Sequence, residues 1–291
     1  MPSTPATANL PRRLLLATDL SCRCDRALDR AVALCRQWQA ELVVVHALES
    51  QRAIVPREQI SAEARIAEVE GRLKRDLAGA FLQPTIVVEP GDPAELVLRS
   101  VAEQGCDLIV AGIARDEIFG RIALGNTVDA LLRAAPVPLL VVKDRPHGAY
   151  ERVLVATDFS GDAQAALAMA VRIAPNGLTL FHAFDAPFSG WTGRTQYLAD
   201  AQAAALERSA AFLAEAPIPE AAKASIVSIA ENGTLGPLLQ AHVASQQVDL
   251  VVLGLPQRGF VVETLIGSRA RAVLDEVHCD LLLVRAAAAS T

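Results

Sequence analysis

The chain has 291 residues, of which 52% are hydrophobic, 21% charged and only 4% aromatic, and its net charge at pH 7 is −6. This composition is typical of a globular protein with a sizeable apolar core. The negative charge and scarce aromatic residues argue against a nucleic-acid surface. There is no run of about eighteen apolar residues, so we expect no membrane-spanning helix and no membrane partner. Five cysteines without a framework spacing favour a reducing, cytoplasmic location.

Apolar runs alternate with stretches of helical periodicity along the first half. Short apolar runs predict strands at 13–18, 41–47, 85–89, 107–112 and 139–143. Apolar residues three and four positions apart predict helices at about 24–38, 57–79, 93–104 and 125–135. Asp19 and Ser21 can cap the first of these helices. Asp92 and Pro93 begin the third helix, and Gly105 closes it.

The second half repeats the first. Arg152-Val-Leu-Val-Ala-Thr-Asp158-Phe-Ser160 matches Arg13-Leu-Leu-Leu-Ala-Thr-Asp19-Leu-Ser21 at an offset of 139 residues (158 − 19). A helix is expected at about 195–215 and a third strand at 225–229. A polar connector at 144–151 separates the halves. We therefore predict an α/β protein with two tandem domains, 1–146 and 147–291 (cores about 11–144 and 151–285), each a doubly wound, five-stranded parallel sheet with helices on both faces.

One stretch has the form of a phosphate-binding turn and occurs in both halves. An apolar run ends in Gly112 or Gly254, and a second glycine follows thirteen residues later (125 − 112 and 267 − 254) where a helix is expected to begin. Glycine lets a backbone approach phosphate oxygens, and a helix start offers free N–H groups and a positive dipole end. The alternative is an ordinary helix cap beside a tight turn.

Three kinds of polar residue accompany this stretch. Asp19 and Asp158 follow strand one, so they should share a crevice with the end of strand four, where they can cap a helix or hold a ribose or base edge. His46 and His182 occupy equivalent places in strand two and are interpreted as hydrogen-bonded core residues. The Cys22-Arg-Cys24 segment near a helix start could lower a thiol pKa, which leaves a redox role open.

Several motifs together resemble the universal stress protein family over nearly the whole chain, as two tandem domains. They are Leu15-Leu-Ala-Thr-Asp-Leu-Ser21, Val43-Val-Val-His-Ala47, Gly91-Asp-Pro-Ala-Glu95, Asp107-Leu-Ile-Val-Ala-Gly112 and Pro136-Val-Pro-Leu-Leu-Val-Val142. The resemblance implies a Rossmann-like sheet of the adenine nucleotide alpha hydrolase type. It also implies a non-enzymatic stress-response protein that binds ATP, or AMP or ADP, with or without Mg, in at least one domain.

The resemblance further implies which residues contact the nucleotide. In the first domain these are Thr18, Asp19, Ala47, Ala111, Gly112, Ala114, Arg115, Gly125, Asn126 and Thr127. In the second domain they are Thr157, Asp158, Ala183, Leu253, Gly254, Gln257, Gly267, Ser268 and Arg269. ATP-binding members carry Gly-x2-Gly-x9-Gly followed by Ser or Thr, and this chain departs from that pattern. Arg115 and Gln257 replace the second glycine, where a side chain could crowd the phosphates or, for Arg115, pair with them.

Two alternatives accompany this hypothesis. The substitutions at Arg115 and Gln257 favour a degenerate tandem scaffold, or a protein that binds a small apolar ligand and no nucleotide. An adenylating or pyrophosphatase-type enzyme is disfavoured, because the Ser-Gly-Gly and His-x-Gly-His loops of such enzymes do not follow strand one. The expected partners are an adenine nucleotide and either a second copy of the chain or another protein.

Overall fold

The structure is a computed structural model, and it describes residues 10–21, 24–48, 61–80, 83–116, 121–123, 126–175, 177–186, 194–255 and 263–286. The chain divides into two compact units. The described residues of Pro11–Ala114 and Leu124–Ala149 form one unit, which is referred to below as the N-unit. Those of Tyr150–Thr291, together with Arg115–Ala123, form the other, the C-unit.

The first half of the chain alternates strands and helices, as its apolar periodicity predicts. Its elements, in chain order, are β1 (Arg13–Ala17), α1 (Asp25–Trp38), β2 (Glu41–Leu48), α2 (Ala62–Leu77) with a 3₁₀ turn (Ala78–Ala80), β3 (Thr85–Pro90), α3 (Pro93–Gln104), β4 (Leu108–Gly112), β5 (Ala114–Asp116), β6 (Arg121–Ala123), α4 (Asn126–Ala134) and β7 (Leu139–Val142).

The second half follows the same plan. Its elements are β8 (Val153–Ala156), α5 (Gly161–Ile173), β9 (Leu178–Phe184), α6 (Arg194–Glu215), α7 (Glu220–Ser225), β10 (Val227–Asn232), α8 (Leu235–Gln246), β11 (Leu250–Gly254), α9 (Glu263–Glu276) and β12 (Asp280–Val284). None of the helices in the described part of the chain is both long and apolar enough to cross a membrane.

Each unit contains a parallel sheet whose strand order reverses next to its first strand. The order is β7-β4-β1-β2-β3 in the N-unit and β12-β11-β8-β9-β10 in the C-unit. The pairs within each order are parallel. The doubly wound α/β fold predicted from the sequence is therefore confirmed. The reversal places the carboxyl end of β1 beside that of β4, and the end of β8 beside that of β11, where such sheets form a crevice.

The central strands are buried on both faces. Leu14, Leu15 and Leu16 are all 0% exposed, although successive side chains of a strand point to opposite faces. α1 and α3 both pack against β1 and supply this cover. Continuous apolar runs are typical of parallel strands covered in this way, which explains why the strands were readable from the sequence.

An aspartate at the amino end of β4 ties that strand to β1. The carboxylate of Asp107 accepts hydrogen bonds from the backbone N–H groups of Arg12, at 2.9 Å, and Arg13, at 3.1 Å. Asp249 does the same at the amino end of β11, accepting from the N–H groups of Glu151 and Arg152. Asp107 and Asp249 precede the strands that end in Gly112 and Gly254. These aspartates therefore tie strands together at the amino end of each sheet, opposite the crevice.

Helix starts differ from expectation in the first half. α1 begins at Asp25 after Cys24, whose side chain makes no capping hydrogen bond. The Asp19 carboxylate instead accepts from the N–H of Ser21, so neither residue caps α1. In the second half, Ser160 does cap α5 by accepting from the N–H of Ala163. The extra residues between the turn and α1 explain the difference, because they move the helix start beyond the reach of Ser21.

Two further segments differ from the sequence prediction, at the start of α2 and before β10. Residues 49–60, which include the start of the helix expected at 57–79, lie outside the described residues. The described part of α2 begins after Ser61, whose hydroxyl accepts from the N–H of Ala64. The short helix α7 was not predicted, and it takes Ser225 out of the expected third strand. The Ser225 hydroxyl donates to the carbonyl of Ala222, which explains why the strand begins later.

Replacing Asp107 with alanine tests the tie between β4 and β1. The Asp107→Ala variant should lose about 1 kcal/mol of unfolding free energy, because two backbone N–H groups lose a charged acceptor. Urea denaturation measures this loss. Glu103→Ala is the control, since its carboxylate pairs with Arg99 on the helix surface and should contribute less than about 0.5 kcal/mol. Equal effects of the two variants would contradict the assignment.

Candidate functional site

The turn after the first strand has the same hydrogen bonds in both units. In the N-unit, the Thr18 hydroxyl accepts from the N–H of Leu20 at 3.0 Å, and Asp19 accepts from the N–H of Ser21 at 2.8 Å. In the C-unit, the corresponding distances are 2.9 Å, from the N–H of Phe159 to Thr157, and 3.0 Å, from the N–H of Ser160 to Asp158. The Thr-Asp-x-Ser sequence therefore specifies one turn twice, through side chains that hydrogen-bond to the local backbone.

The third residue of each turn has a backbone conformation that side chains rarely adopt. The φ angle is 59° at Leu20 and 65° at Phe159. Such left-handed conformations cost a bulky residue about 1–3 kcal/mol and are found where surrounding contacts impose them. The hydrogen bonds on either side of Leu20 and Phe159 are those contacts.

A histidine from the second strand supports each turn. His46 Nδ1 lies 2.9 Å from the carbonyl oxygen of Thr18, and His182 Nδ1 lies 2.8 Å from that of Thr157. A carbonyl oxygen can only accept a hydrogen bond, so Nδ1 carries the proton in both residues. Both imidazoles are half-buried. The interpretation of these histidines as hydrogen-bonded structural residues is therefore confirmed.

Asp19 remains ionised in this environment. Burial raises the pKa of Asp19, but hydrogen bonding to Ser21 outweighs burial and brings the pKa below its ordinary value of 3.8. The residue is exposed. A charged, exposed carboxylate at the carboxyl end of β1 can accept hydrogen bonds from the hydroxyl or amino groups of a ligand.

A lowered thiol pKa beside this turn, which the sequence left open, is not found at Cys24. Burial raises the pKa of the Cys24 thiol to about 11, and the neighbouring Asp19 charge opposes ionisation further. Cys24 is also 9% exposed. Its position before a helix does not compensate for the loss of solvation. Cys22 lies outside the described residues.

In the N-unit, β4 ends and α4 begins close to the positions predicted from the sequence. Ala111 is paired with Ala17 of β1, so Gly112 emerges beside Thr18 at the same edge of the sheet. α4 begins at Asn126, which is exposed, and Thr127 is half-buried in its first turn. Gly125 lies outside the described residues. The first N–H groups of α4 have no acceptor within the helix, as at every helix start.

The segment between β4 and α4 is not the plain loop that the sequence suggested. β5 and β6 pair as a small two-stranded sheet. Arg115–Ala123 belongs to the C-unit, in which β6 packs against α9. Ala114 and Arg115 lie in β5, and their side chains are outside the described set. The pairing partner of β5 is too close in sequence and too short to be visible in hydrophobic periodicity.

In the C-unit, the glycine at the end of β11 is required by helix packing. A Cβ atom at Gly254 would lie 2.6 Å from the carbonyl carbon of Asp162 and 2.7 Å from the nitrogen of Ala163, both in the first turn of α5. The Asp162 carboxylate also accepts from the N–H of Ala286 at 2.9 Å. The first turn of α5 therefore leaves no room for a side chain at position 254.

The second glycine of the C-unit does not begin a helix, which corrects the sequence expectation. α9 begins at Glu263, so Gly267, Ser268 and Arg269 lie within it. Glu263-Thr-Leu-Ile contains no helix breaker, and an interior glycine costs only about 1 kcal/mol relative to alanine. The backbone N–H groups from Gly267 onward are thus used inside the helix. Gln257 lies outside the described residues.

The remaining candidate residues lie at the carboxyl ends of the strands. Ala47 is the second-last residue of β2 and Ala183 is the second-last residue of β9, and both are half-buried. Thr157 and Leu253 are buried at the ends of β8 and β11. The sequence analysis missed Arg72 of α2, which donates to the carbonyl of Leu20 at 2.9 Å. Its position in a surface helix gave no signal, because many arginines in such helices are merely solvated. Across the described residues, no cluster of three or more His, Cys, Asp or Glu side chains could hold a metal ion.

Comparison with known proteins gives consistent matches. The sequence profile of the Universal stress protein family matches residues 11–143 and 149–285. Universal stress protein YxiE of Bacillus subtilis is 26% identical over 147 residues, which are 45% of this chain and 98% of that protein. A universal stress protein structure from Archaeoglobus fulgidus covers 97% of this chain and 99% of its own, with 19% identity and a TM-score of 0.68. A functionally unknown protein from Pseudomonas aeruginosa, also at 19% identity and a TM-score of 0.68, covers 98% and 95%.

Replacing Asp19 with asparagine tests its charge by pH. Because the folded-state pKa of Asp19 is lowered, its ionisation stabilises the fold above its ordinary value of 3.8, and this contribution is lost as pH falls through the folded-state pKa. Wild type should therefore be more stable than Asp19→Asn at neutral pH, and the difference should shrink in strong acid. Urea denaturation at several pH values measures it. A difference that does not change with pH would refute the assignment.

Replacing Gly254 with alanine tests whether the glycine serves packing. The added methyl group meets backbone of α5, so the Gly254→Ala variant should lose about 1–3 kcal/mol of unfolding free energy. Gly161→Ala is the matched control, because a Cβ there has nothing within 4 Å and ordinary helical geometry accepts alanine. Thermal or urea unfolding of both variants decides the point. If Gly254→Ala is as stable as Gly161→Ala, the helix contact is not the reason for the glycine.

Proposed function

The chain belongs to the universal stress protein family, and we propose that it is a non-enzymatic stress-response protein that binds an adenine nucleotide in its N-unit. The nucleotide is ATP, or AMP or ADP, with or without Mg. The observation that carries this proposal is the start of α4 at Asn126, at the carboxyl edge of a sheet where β1 and β4 lie side by side. Free N–H groups and a positive dipole end at such a place suit a phosphate.

The other N-unit residues support the same ligand. Asp19 is ionised and exposed after β1, so it can accept from ribose hydroxyl groups. The backbone of Ala47, at the end of the adjacent strand β2, is the proposed contact for the base.

The C-unit favours the second candidate function, a domain without nucleotide. Gly254 lies against α5, and Gly267 and Ser268 lie inside α9. Gly267 and Ser268 therefore do not stand at a helix start, where a phosphate cradle would need them. We therefore assign the C-unit a structural or partner-binding role, in which a second copy of the chain or another protein responds to nucleotide binding in the N-unit. A cytoplasmic location stays a prediction.

Nucleotide binding is tested by thermal unfolding. Millimolar ATP or AMP should raise the melting temperature, because a ligand that binds the folded state stabilises it. Asn126→Asp places a negative charge at the start of α4 and should weaken the apparent affinity by about tenfold. The control is Thr234→Asp, which puts the same charge at the start of α8, where Thr234 is the N-cap.

Three results are informative. An ATP-dependent shift that Asn126→Asp reduces and Thr234→Asp does not would support the N-unit site. The absence of any shift at millimolar ATP and AMP would refute nucleotide binding. An identical shift in wild type and both variants would refute the assignment of the phosphates to the start of α4. Nucleotide binding at another place in the chain would then account for the shift.

A further inference from the structure

An arginine of α2 contacts the turn after β1 in the N-unit. Nη2 of Arg72 donates to the carbonyl oxygen of Leu20 at 2.9 Å. Leu20 is the residue of this turn that has the left-handed backbone, with a φ angle of 59°. Arg72 also lies near Asp76 of the same helix, but its Nε is 3.8 Å from the carboxylate, which is too far for a hydrogen bond. The bond to Leu20 is therefore the closer of these two contacts.

The carbonyl of Leu20 and the N–H of Ser21 belong to the same peptide group. Because a peptide group is planar and trans, its C=O and N–H point in opposite directions. The N–H of Ser21 donates to Oδ1 of Asp19 at 2.8 Å. The Arg72 guanidinium and the Asp19 carboxylate are thus joined through one peptide group, with the cation at its oxygen and the anion at its N–H.

This peptide link affects both the geometry and the strength of the bond to Asp19. A hydrogen bond to the Leu20 carbonyl restricts rotation of the peptide plane, and the N–H of Ser21 turns with that plane. A charged donor at the carbonyl also polarises the peptide group, which strengthens the hydrogen bond that its N–H donates. The orientation of the Asp19 carboxylate therefore depends on a side chain from another helix.

The C-unit repeats the arginine with a different contact. Arg208 of α6 follows Arg72 by 136 residues, which is also the separation of the two strand-two histidines (208 − 72 and 182 − 46). Its guanidinium carbon lies 4.6 Å from the centre of the Phe159 ring, at the third position of the other turn. Leu20 offers no aromatic face on which an arginine could stack, and Arg72 bonds to the backbone instead.

We propose that Arg72 is a positioning residue for Asp19 and that it acts through the peptide group between Leu20 and Ser21. This inference rests on the proposed function for its consequence, which is the binding of a ribose. A carboxylate held in one orientation accepts from ribose hydroxyl groups without first losing rotational freedom. Arg72 thus raises the affinity for a ribonucleotide that it does not contact.

The amide proton of Ser21 reports on the peptide link in the full chain without nucleotide. In Arg72→Ala this proton should move upfield in the NMR spectrum, because its hydrogen bond to Asp19 weakens. Arg72→Lys keeps a charged donor and should restore part of the shift. Two controls should leave the shift unchanged, Asp76→Asn at the other contact of Arg72 and Arg75→Ala at an exposed arginine of the same helix. An unchanged shift in Arg72→Ala would overturn the inference.

Calorimetric titration with two nucleotides tests the consequence for binding. Arg72→Ala should weaken ATP binding about three- to tenfold, and Arg72→Lys should recover part of the loss. The analogue 2′,3′-dideoxy-ATP lacks the ribose hydroxyl groups, so its affinity should be the same in wild type and in Arg72→Ala. Equal weakening of both nucleotides would indicate a general loss of structure and would overturn the positioning role. Arg208→Ala, the same change at the equivalent place in the C-unit, should alter neither affinity.

A double-mutant cycle shows whether Arg72 acts through Asp19. In an Asp19→Ala background, Arg72→Ala should cause no further loss of ATP affinity, since the carboxylate that it positions is absent. Losses that add in the double variant would mean that Arg72 acts independently of Asp19, and they would overturn the inference.

The two kinds of measurement separate this inference from the proposed function. Undiminished ATP binding by Arg72→Ala would overturn the inference and leave the proposed function intact. A Ser21 shift that responds to Arg72→Ala, in a protein that binds no ATP, would support the positioning of Asp19 and overturn the proposed nucleotide function.

Discussion

The parallel pairing of the first strand with the fourth is the constraint on which the rest of each unit depends. β1 and β4 are separated in sequence by two strands and three helices, yet they lie side by side with Ala17 opposite Ala111. β8 and β11 repeat the pairing. Right-handed connections then leave in opposite directions from these two strands, and a crevice opens between the loops at their carboxyl ends. Thr18, Asp19 and Gly112 lie at or near that edge in the N-unit.

The two units share one sheet topology, but the residues around the carboxyl ends of their strands differ. In the C-unit, the first turn of α5 rests on Gly254, and the Phe159 ring packs against His182 and Phe212. In the N-unit, α4 begins at an exposed Asn126 and a pocket lies beside Leu20. The residues around the carboxyl ends of the first and fourth strands therefore differ between the two units.

Much of the fold could be predicted from the sequence, because buried parallel strands and amphipathic helices carry strong periodic signals. β1, β4 and α3 begin and end within about one residue of the predicted bounds. The site was less predictable. The sequence does not distinguish a glycine needed for the approach of a phosphate from a glycine needed for contact with a helix. The role of Gly254 could therefore not be assigned without knowing where α5 lies. Likewise, no local signal shows that α9 extends four residues before Gly267, or that burial overrides the helix start at Cys24.

The third position of the Thr-Asp-x-Ser turn explains how the two crevices could diverge without disturbing the fold. The turn is held by the hydroxyl of Thr18, the carboxylate of Asp19 and the imidazole of His46, none of which involves the side chain of Leu20. The left-handed backbone there carries a strain cost whichever bulky residue is present. Leucine and phenylalanine are therefore both compatible with the hydrogen bonds of the turn. They differ in how much of the neighbouring space their side chains occupy. The side chain at the third position can therefore differ between the two turns while their hydrogen bonds stay the same.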